Sequence, residues 1–264
     1  MSVALTELLW TPASKIEDWL DVVNDSLDLH QELYLVADTE TTGTMVMEDW
    51  KGELIRNRVV EMAFCFYYYD KKEKHTKPLL DSDGDPIVFH EPLNFFAEPK
   101  EVREKFSSIA RIPKESINVH GLTEKYLFAE EESPLGRPKL DRAALTFSEV
   151  IPLFLKFLQV ENTFEKGLPI YLVFHNALFD TRFLNSEMRV AGYPMLESYG
   201  LVLDTLVEAK NLIVGLERYT LDSLYEHYLN ETGAAPIERP FHDARTDSEI
   251  LAEVLGYLLK ISGK

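Results

Sequence analysis

The chain carries one cysteine in 264 residues, Cys65, so no disulfide can form within it. That thiol sits in the apolar run Val59-Val60-Glu61-Met62-Ala63-Phe64-Cys65-Phe66, which reads as packed core in a protein of a reducing compartment. No apolar run reaches the roughly 20 residues that cross a bilayer. The first residues, Met-Ser-Val-Ala-Leu-Thr-Glu, lack the basic-then-apolar order of a secretion signal. The expectation is a soluble, cytoplasmic protein with no membrane partner. Internal repeats and low-complexity linkers are missing. So are a Walker phosphate loop, a serine-nucleophile elbow and a paired C-x-x-C. Positive charge is scarce: 27 Lys and Arg stand against 45 Asp and Glu, a net charge of −18. That balance argues against a long-duplex or chromatin-type binder, which needs many phosphate contacts. What remains is an ordinary globular composition, 45% hydrophobic and 27% charged, in a chain long enough for a sizeable core.

Residues 14–30 place Ile16, Leu20, Val23 and Leu27 on one helical stripe widened by Trp19, with Ser14 as N-cap. Leu33–Asp38 reads as a buried strand, Val59–Tyr69 as a second, and Pro86–Phe96 as a third that forms a hairpin with the second. Lys71–Lys74 reads as a solvated hairpin tip. Asp81-Ser-Asp-Gly-Asp85 invites a calcium-loop reading, but its glycine falls fourth where such a loop needs it sixth, so a hairpin turn is expected. Helical patterns follow near 145–160, 177–191, 204–213, 220–229 and 243–260, with strands at Ile170–Phe174 and Tyr199–Leu203 between them. This order predicts an α/β protein with helices on both faces of a mixed sheet. Residues 129–142 read as a mobile loop. The expected organisation is an N-terminal helical extension, 1–30, before one domain, 31–264.

Three separated acidic patches are the richest signal: Asp38-Thr-Glu40, His175-Asn-Ala-Leu-Phe-Asp180 and His242-Asp-Ala-Arg-Thr-Asp247. Asp38 and Glu40 lie two apart on a strand, so both carboxylates share one face. Asn176 is placed to cap the helix after strand Ile170–Phe174, with Asp180 one turn in. Asp243 is placed as a cap or first-turn residue of the last helix, with Asp247 about one turn in and His242 on the loop just before it. Each patch alone has a bland reading: a strand entering a turn, an acid at a helix start, a loop histidine. Carboxylates gathered without a cation repel one another, so a fold that collects them together points to divalent metal. Oxygen ligands favour Mg²⁺ or Mn²⁺ over zinc. A histidine beside them fits metal-assisted phosphodiester hydrolysis.

In order and local context these patches resemble the DnaQ-like, or DEDDh, 3′–5′ exonucleases, over about Leu33 to Leu259. Asn118-Val-His-Gly-Leu-Thr123 and Asp204-Thr-Leu206 look like further family segments. The resemblance implies a ribonuclease-H-like fold with a mixed five-stranded sheet flanked by helices. It implies two Mg²⁺ or Mn²⁺ ions held by Asp38, Glu40, Asp180 and Asp247, with His242 as general base. Those five residues would be the catalytic set, and Thr41, Thr42, Met45, His120 and Asn176 would meet substrate. His120 also reads as a turn histidine, and His175 and Asp204 as supporting residues. Met45–Met47 could wedge under a terminal base or pack on the fold's own core. The implied substrate is a single-stranded or frayed DNA 3′ end, in proofreading or repair, with nucleoside 5′-monophosphate as product. An exoribonuclease using the same residues is the alternative, and a non-catalytic scaffold a remote one. The chain ends soon after Asp247, without the C-terminal tail that tethers proofreading subunits to a polymerase. Helix 14–30 could serve as a substitute docking element for such a replication partner, or simply cover the sheet.

Overall fold

The computed structural model describes residues 15, 19–23, 25–26, 32–50, 53–103, 111–158 and 170–264. The strands are β1 (Leu33–Thr41), β2 (Met47–Trp50), β3 (Glu53–Arg56), β4 (Val59–Asp70), β5 (His75–Pro78), β6 (Val88–Pro92), β7 (Ile170–Phe174) and β8 (Leu201–Asp204). The main sheet runs β5-β4-β1-β7-β8, with β6 also paired to β4. β6 takes the Glu61–Cys65 half of β4 and β5 takes the Tyr67–Asp70 half, both on the edge away from β1. Six strands thus fill the five positions expected. β4 is antiparallel to β1 and β7 is parallel to it, so the sheet is mixed as anticipated.

The helices are α1 (Lys114–His120), α2 (Glu124–Leu127), α3 (Phe147–Leu158), α4 (Ala177–Ala191), α5 (Thr205–Leu212), α6 (Leu221–Thr232) and α7 (Ala244–Ile261). The last five fall where the apolar periodicity places them. Strand alternation distributes β1 between two layers. Leu33, Leu35 and Ala37 pack against Phe154 of α3 and Phe183, Leu184 and Met188 of α4. Tyr34 and Val36 pack against Leu251, Leu255 and Leu259 of α7. Asp38 and Glu40 continue the even register, so they fall on the α7 face, while Thr39 falls on the α4 face.

Several expectations need correction. β1 does not stop at Asp38: Asp38 still pairs with Ala63 and Glu40 with Glu61 before the register shifts, so both acids are gripped inside the strand. The third strand is shorter than Pro86–Phe96, because Phe95–Ala97 coil into a 3-10 turn. β5, the separate β2–β3 hairpin, α1 and α2 were not anticipated. Residues 129–142 are pinned, not loose: Arg137 and Leu140 are buried, and the Ser133 hydroxyl donates to the Gly121 carbonyl at 2.8 Å. Asp81 closes a hairpin turn, its Oδ1 accepting the Asp83 and Asp85 N–H groups at 3.0 Å each. In the N-terminal segment, residues 19–23 are helical, and Trp19 and Val23 join the α3/α4 core. Ser14, Ile16 and Leu27 lie outside the described residues. Among the described residues, no helix is long and apolar enough to cross a membrane.

Candidate active site

The acidic residues converge from three elements. β1 carries Asp38 and Glu40. α4 begins directly after β7 and brings Asp180, which is buried and accepts the Thr39 hydroxyl at 2.7 Å. α7 is capped by Asp243, whose side chain accepts the Thr246 N–H at 2.9 Å, and this start places buried Asp247 in the first turn. His242 stands just before the cap, 44% of its side chain exposed, with Nδ1 3.0 Å from Asp247 Oδ2. Glu40, His242 and Asp247 offer ligand atoms that all lie within 4.8 Å of one another. Asp38 stands outside that triple but interacts through charge with its Asp247 and Glu40, and with Asp180.

The electrostatics are those of a site short of positive charge. Burial holds the Asp38 carboxyl well above its ordinary range, and the charges of Asp180, Asp247 and Glu40 add to the effect. Burial raises Glu40 likewise, with Glu61 and Asp247 reinforcing it and Arg137 opposing. Asp180 is pushed up to about 7, by burial first, against the Thr39 hydrogen bond. Asp247 is raised by burial in spite of His242 and Arg239.

Two arginines outside the three patches shape this centre. Glu61, opposite Glu40 in the sheet, is buried and receives Arg137 Nη1 at 2.6 Å, His90 Nε2 at 3.0 Å and the Ala244 N–H at 3.1 Å. Burial alone would raise Glu61, but Arg137 and His90 overcome it and keep it ionised. Arg137 also donates to the His242 carbonyl at 2.6 Å and lies over the Phe241 ring, so one ion pair fixes the third patch against β4. Arg239 Nη2 lies 2.8 Å from His242 Nε2, and Nη1 lies 3.0 Å from Asp247 Oδ1. That second approach lacks hydrogen-bonding geometry, and buried Asp247 Oδ1 has no hydrogen-bond partner. The one cation already there therefore leaves ligand capacity unfilled, and this oxygen-rich donor set fits a hard divalent ion. Arg239 precedes His242 by three residues and could have been flagged from sequence. Arg137 was hidden in the segment read as mobile.

The expected substrate residues divide. Met45 is 58% exposed beside the site. Thr41 is buried and its hydroxyl donates to the Gly43 carbonyl at 2.7 Å. Thr42 is buried, and its hydroxyl donates to Asn57 Oδ1 at 3.1 Å and accepts the Arg58 N–H at 2.9 Å. His120 is fully buried, its Nδ1 accepts the Leu122 N–H at 3.0 Å, and burial lowers it to about 4. It is a neutral turn histidine with Nε2 unpartnered. Asn176 does not cap α4 by its side chain as expected. It adopts a left-handed conformation, φ 62°, and its N–H donates to Asp204 Oδ1 at 3.0 Å, which frees the exposed amide. His175 supports from behind: Nε2 donates to the Tyr219 carbonyl at 2.9 Å, and Nδ1 lies 3.0 Å from the Thr205 hydroxyl.

A mixed sheet thus carries four acidic side chains and a neighbouring histidine toward one place, and the chain is similar in sequence to known proteins. "DNA polymerase III subunit epsilon" of Rickettsia prowazekii is 30% identical over 145 residues, 54% of this chain and 51% of that one. Its namesake from Buchnera aphidicola subsp. Baizongia pistaciae is 29% identical over 149 residues, 56% of this chain and 49% of that one. This chain therefore spans about half the length of the curated relatives it matches. No protein-family model matches it. A solved structure described as a full-length 3′-exonuclease superposes with a TM-score of 0.54 at 14% identity, covering 86% of this chain and 60% of that one, which shows the shared fold.

Proposed function

We propose that this chain is a metal-dependent 3′–5′ exonuclease that removes nucleoside 5′-monophosphates from single-stranded or frayed DNA 3′ ends. The observation that carries the reading is the cluster of four carboxylates with raised proton affinities beside His242, Asp38 half-buried and Glu40, Asp180 and Asp247 buried. Such a cluster is costly to ionise alone and becomes favourable with divalent cations. Asp38, Glu40, Asp180 and Asp247 would hold two ions, Mg²⁺ or Mn²⁺. When bound, these supply an acidified water and charge stabilisation for the leaving 3′ oxygen.

The chain's own groups do the rest. Asp247 accepts from His242 Nδ1 at 3.0 Å, which turns the Nε2 lone pair outward as general base. Arg239 covers that nitrogen and must swing aside for His242 to act. Arg137 fixes the His242 main chain, so the imidazole works from a rigid mount. Met45 is the proposed contact for the last base, and its exposure leaves it available for that role. The relatives' name supports a role beside a replicative polymerase, and the scarcity of lysine and arginine suits an enzyme that holds only a few nucleotides. The test uses 5′-labelled single-stranded DNA and a matched RNA with Mn²⁺, comparing wild type with Asp38→Ala. A ladder shortening from the 3′ end, lost in the variant and faster on DNA, is expected. Faster cleavage of the RNA would reassign the substrate. Cleavage that survives in Asp38→Ala would overturn the site.

A further inference from the structure

A groove of about 590 Å³ opens from Asp38 and Asp180 and runs between the start of α4 and the connection from α5 to α6. It takes in Asn176 and Phe179 on one side and Lys210, Arg218 and Tyr219 on the other, but not Glu40, Thr41 or Met45. It therefore leads away from the side of the carboxylate cluster that faces the first-patch loop. Lys210 and Arg218 are exposed, and among the described residues neither has an ion-pair partner. By contrast, the arginines around the carboxylates and in the core are engaged: Arg56, Arg58, Arg137 and Arg239 all pair with carboxylates. In a chain of net charge −18, two unpaired cations lining one groove beside the acidic centre suit an anion. Exposed Glu217 also lines the groove and moderates the field without pairing either cation.

The wall that carries them is held in place. The Tyr219 carbonyl accepts from His175, and the Tyr219 hydroxyl donates to the Ile213 carbonyl at 2.7 Å. Thr220 caps α6 by accepting the Ser223 N–H at 3.2 Å. The half-buried rings of Phe179 and Tyr219 add π-faces beside the two cations, and ring faces next to cations are the combination that holds single-stranded nucleic acid.

We propose that this groove is the track for the single DNA strand that feeds the site, with Lys210 and Arg218 on the backbone phosphates upstream of the scissile bond. The proposal rests on the exonuclease reading above. A strand whose last phosphodiester lies at the carboxylates has this groove, opening from Asp38 and Asp180, as a path for its upstream nucleotides.

The double variant Lys210→Gln/Arg218→Gln tests it with two substrates. Thymidine 5′-(p-nitrophenyl phosphate) offers a scissile diester with no upstream strand, and a single-stranded 20-mer offers both. The variant is expected to match wild type on the small diester. On the 20-mer its KM should rise roughly tenfold, and its plot of log KM against log salt should flatten by about 1.4, two phosphate contacts at about 0.7 each. Equal loss on both substrates, or an unchanged 20-mer KM and salt slope, would overturn the track. If wild type turns over neither substrate, the exonuclease reading fails separately. Anisotropy of the labelled 20-mer in an Asp38→Ala background then reads the track alone, and equal affinity with and without the two substitutions refutes it.

Discussion

Replacing Asp180 with asparagine should make the metal-free protein more stable at pH 8 while removing its nuclease activity. Asp180 is buried and its carboxyl is pushed up to about 7 from an ordinary 3.8. Between those values the native state keeps a proton that the unfolded chain has released. Stability is therefore lost as pH rises through this window, and the loss is complete above the folded value. A shift of about three units corresponds to about 4 kcal/mol. Asparagine removes that cost and keeps an oxygen for the Thr39 hydroxyl, now 2.7 Å away. It also buries an amide N–H₂ without an acceptor, at about 2 kcal/mol. The net gain is about 2 kcal/mol at pH 8, or roughly 4–8 °C in Tm for a chain of this size. At pH 5 most of the electrostatic cost has gone and the gain should fall close to zero. Thermal melts of wild type and Asp180→Asn in chelator at the two pH values measure the difference. Adding Mn²⁺ at pH 8 should raise the wild-type Tm and close the gap. A difference in Tm that does not grow from pH 5 to pH 8 would refute the reasoning.

Other perturbations separate the supporting parts of the site. Arg239→Gln withdraws a cation that competes for Asp247 and His242, so half-saturating Mn²⁺ for activity should fall roughly three- to tenfold, about 1 kcal/mol; an unchanged metal titration would show that Arg239 does not compete. Arg137→Met leaves Glu61 buried without its main counter-charge and should cost about 3–5 kcal/mol in urea unfolding, with much of it restored in Glu61→Gln/Arg137→Met. The low proton affinity of Glu61 gives stability that is present above the unfolded carboxylate value and lost as pH falls below it, so that double variant should lose less stability in acid than wild type. Gly43→Ala would bring a Cβ to 2.4 Å from Asn57 Nδ2, whose side chain donates to the Met45 carbonyl at 2.8 Å, so KM for single-stranded DNA should rise more than kcat falls. With saturating metal, His242→Ala should flatten a pH–rate profile that climbs with pH in wild type.

The parts of this protein legible from sequence are those where one residue's neighbours along the chain decide its place. Alternation along Leu33–Thr41 sends Asp38 and Glu40 to one face, and apolar spacing in 177–191 and 244–261 sets the helices that carry Asp180 and Asp247. Asp243 caps its helix as its position foretold. What stayed hidden depends on partners far apart in the chain. Glu61 sits in the middle of an apolar strand and looks like an isolated charge, yet Arg137, 76 residues away, pairs with it. Arg137 itself lies among acidic, proline- and glycine-containing residues that read as a loose loop, and only the buried pair shows why it is fixed. Thr42 and Asn176 were hidden for a related reason: the Thr42 hydroxyl is bonded by Asn57 and the Arg58 N–H, and Asn176, held in a left-handed conformation with its N–H on Asp204 Oδ1, makes no side-chain cap.

The same distinction explains why the acidic composition misleads about nucleic acid. Net charge is an average over the surface, and −18 predicts repulsion from a polyanion at long range. Binding at short range depends on which charges remain unspent after folding. The arginines at the core of this chain are consumed by internal carboxylates, as Arg58 is by Glu98 and Glu187 at 2.8 and 2.6 Å. The cations lining the groove have no ion-pair partner among the described residues, and the charge of the four central carboxylates would be neutralised by two bound divalent ions. A protein built this way excludes long duplexes by its overall field and admits a short strand by its local one. On that reasoning salt should act in opposite directions on two substrates. Screening should weaken capture of a short single strand through Lys210 and Arg218, and relieve the repulsion felt by a long duplex with a frayed end. A ratio of long-duplex to short-strand cleavage that falls with added salt would contradict it.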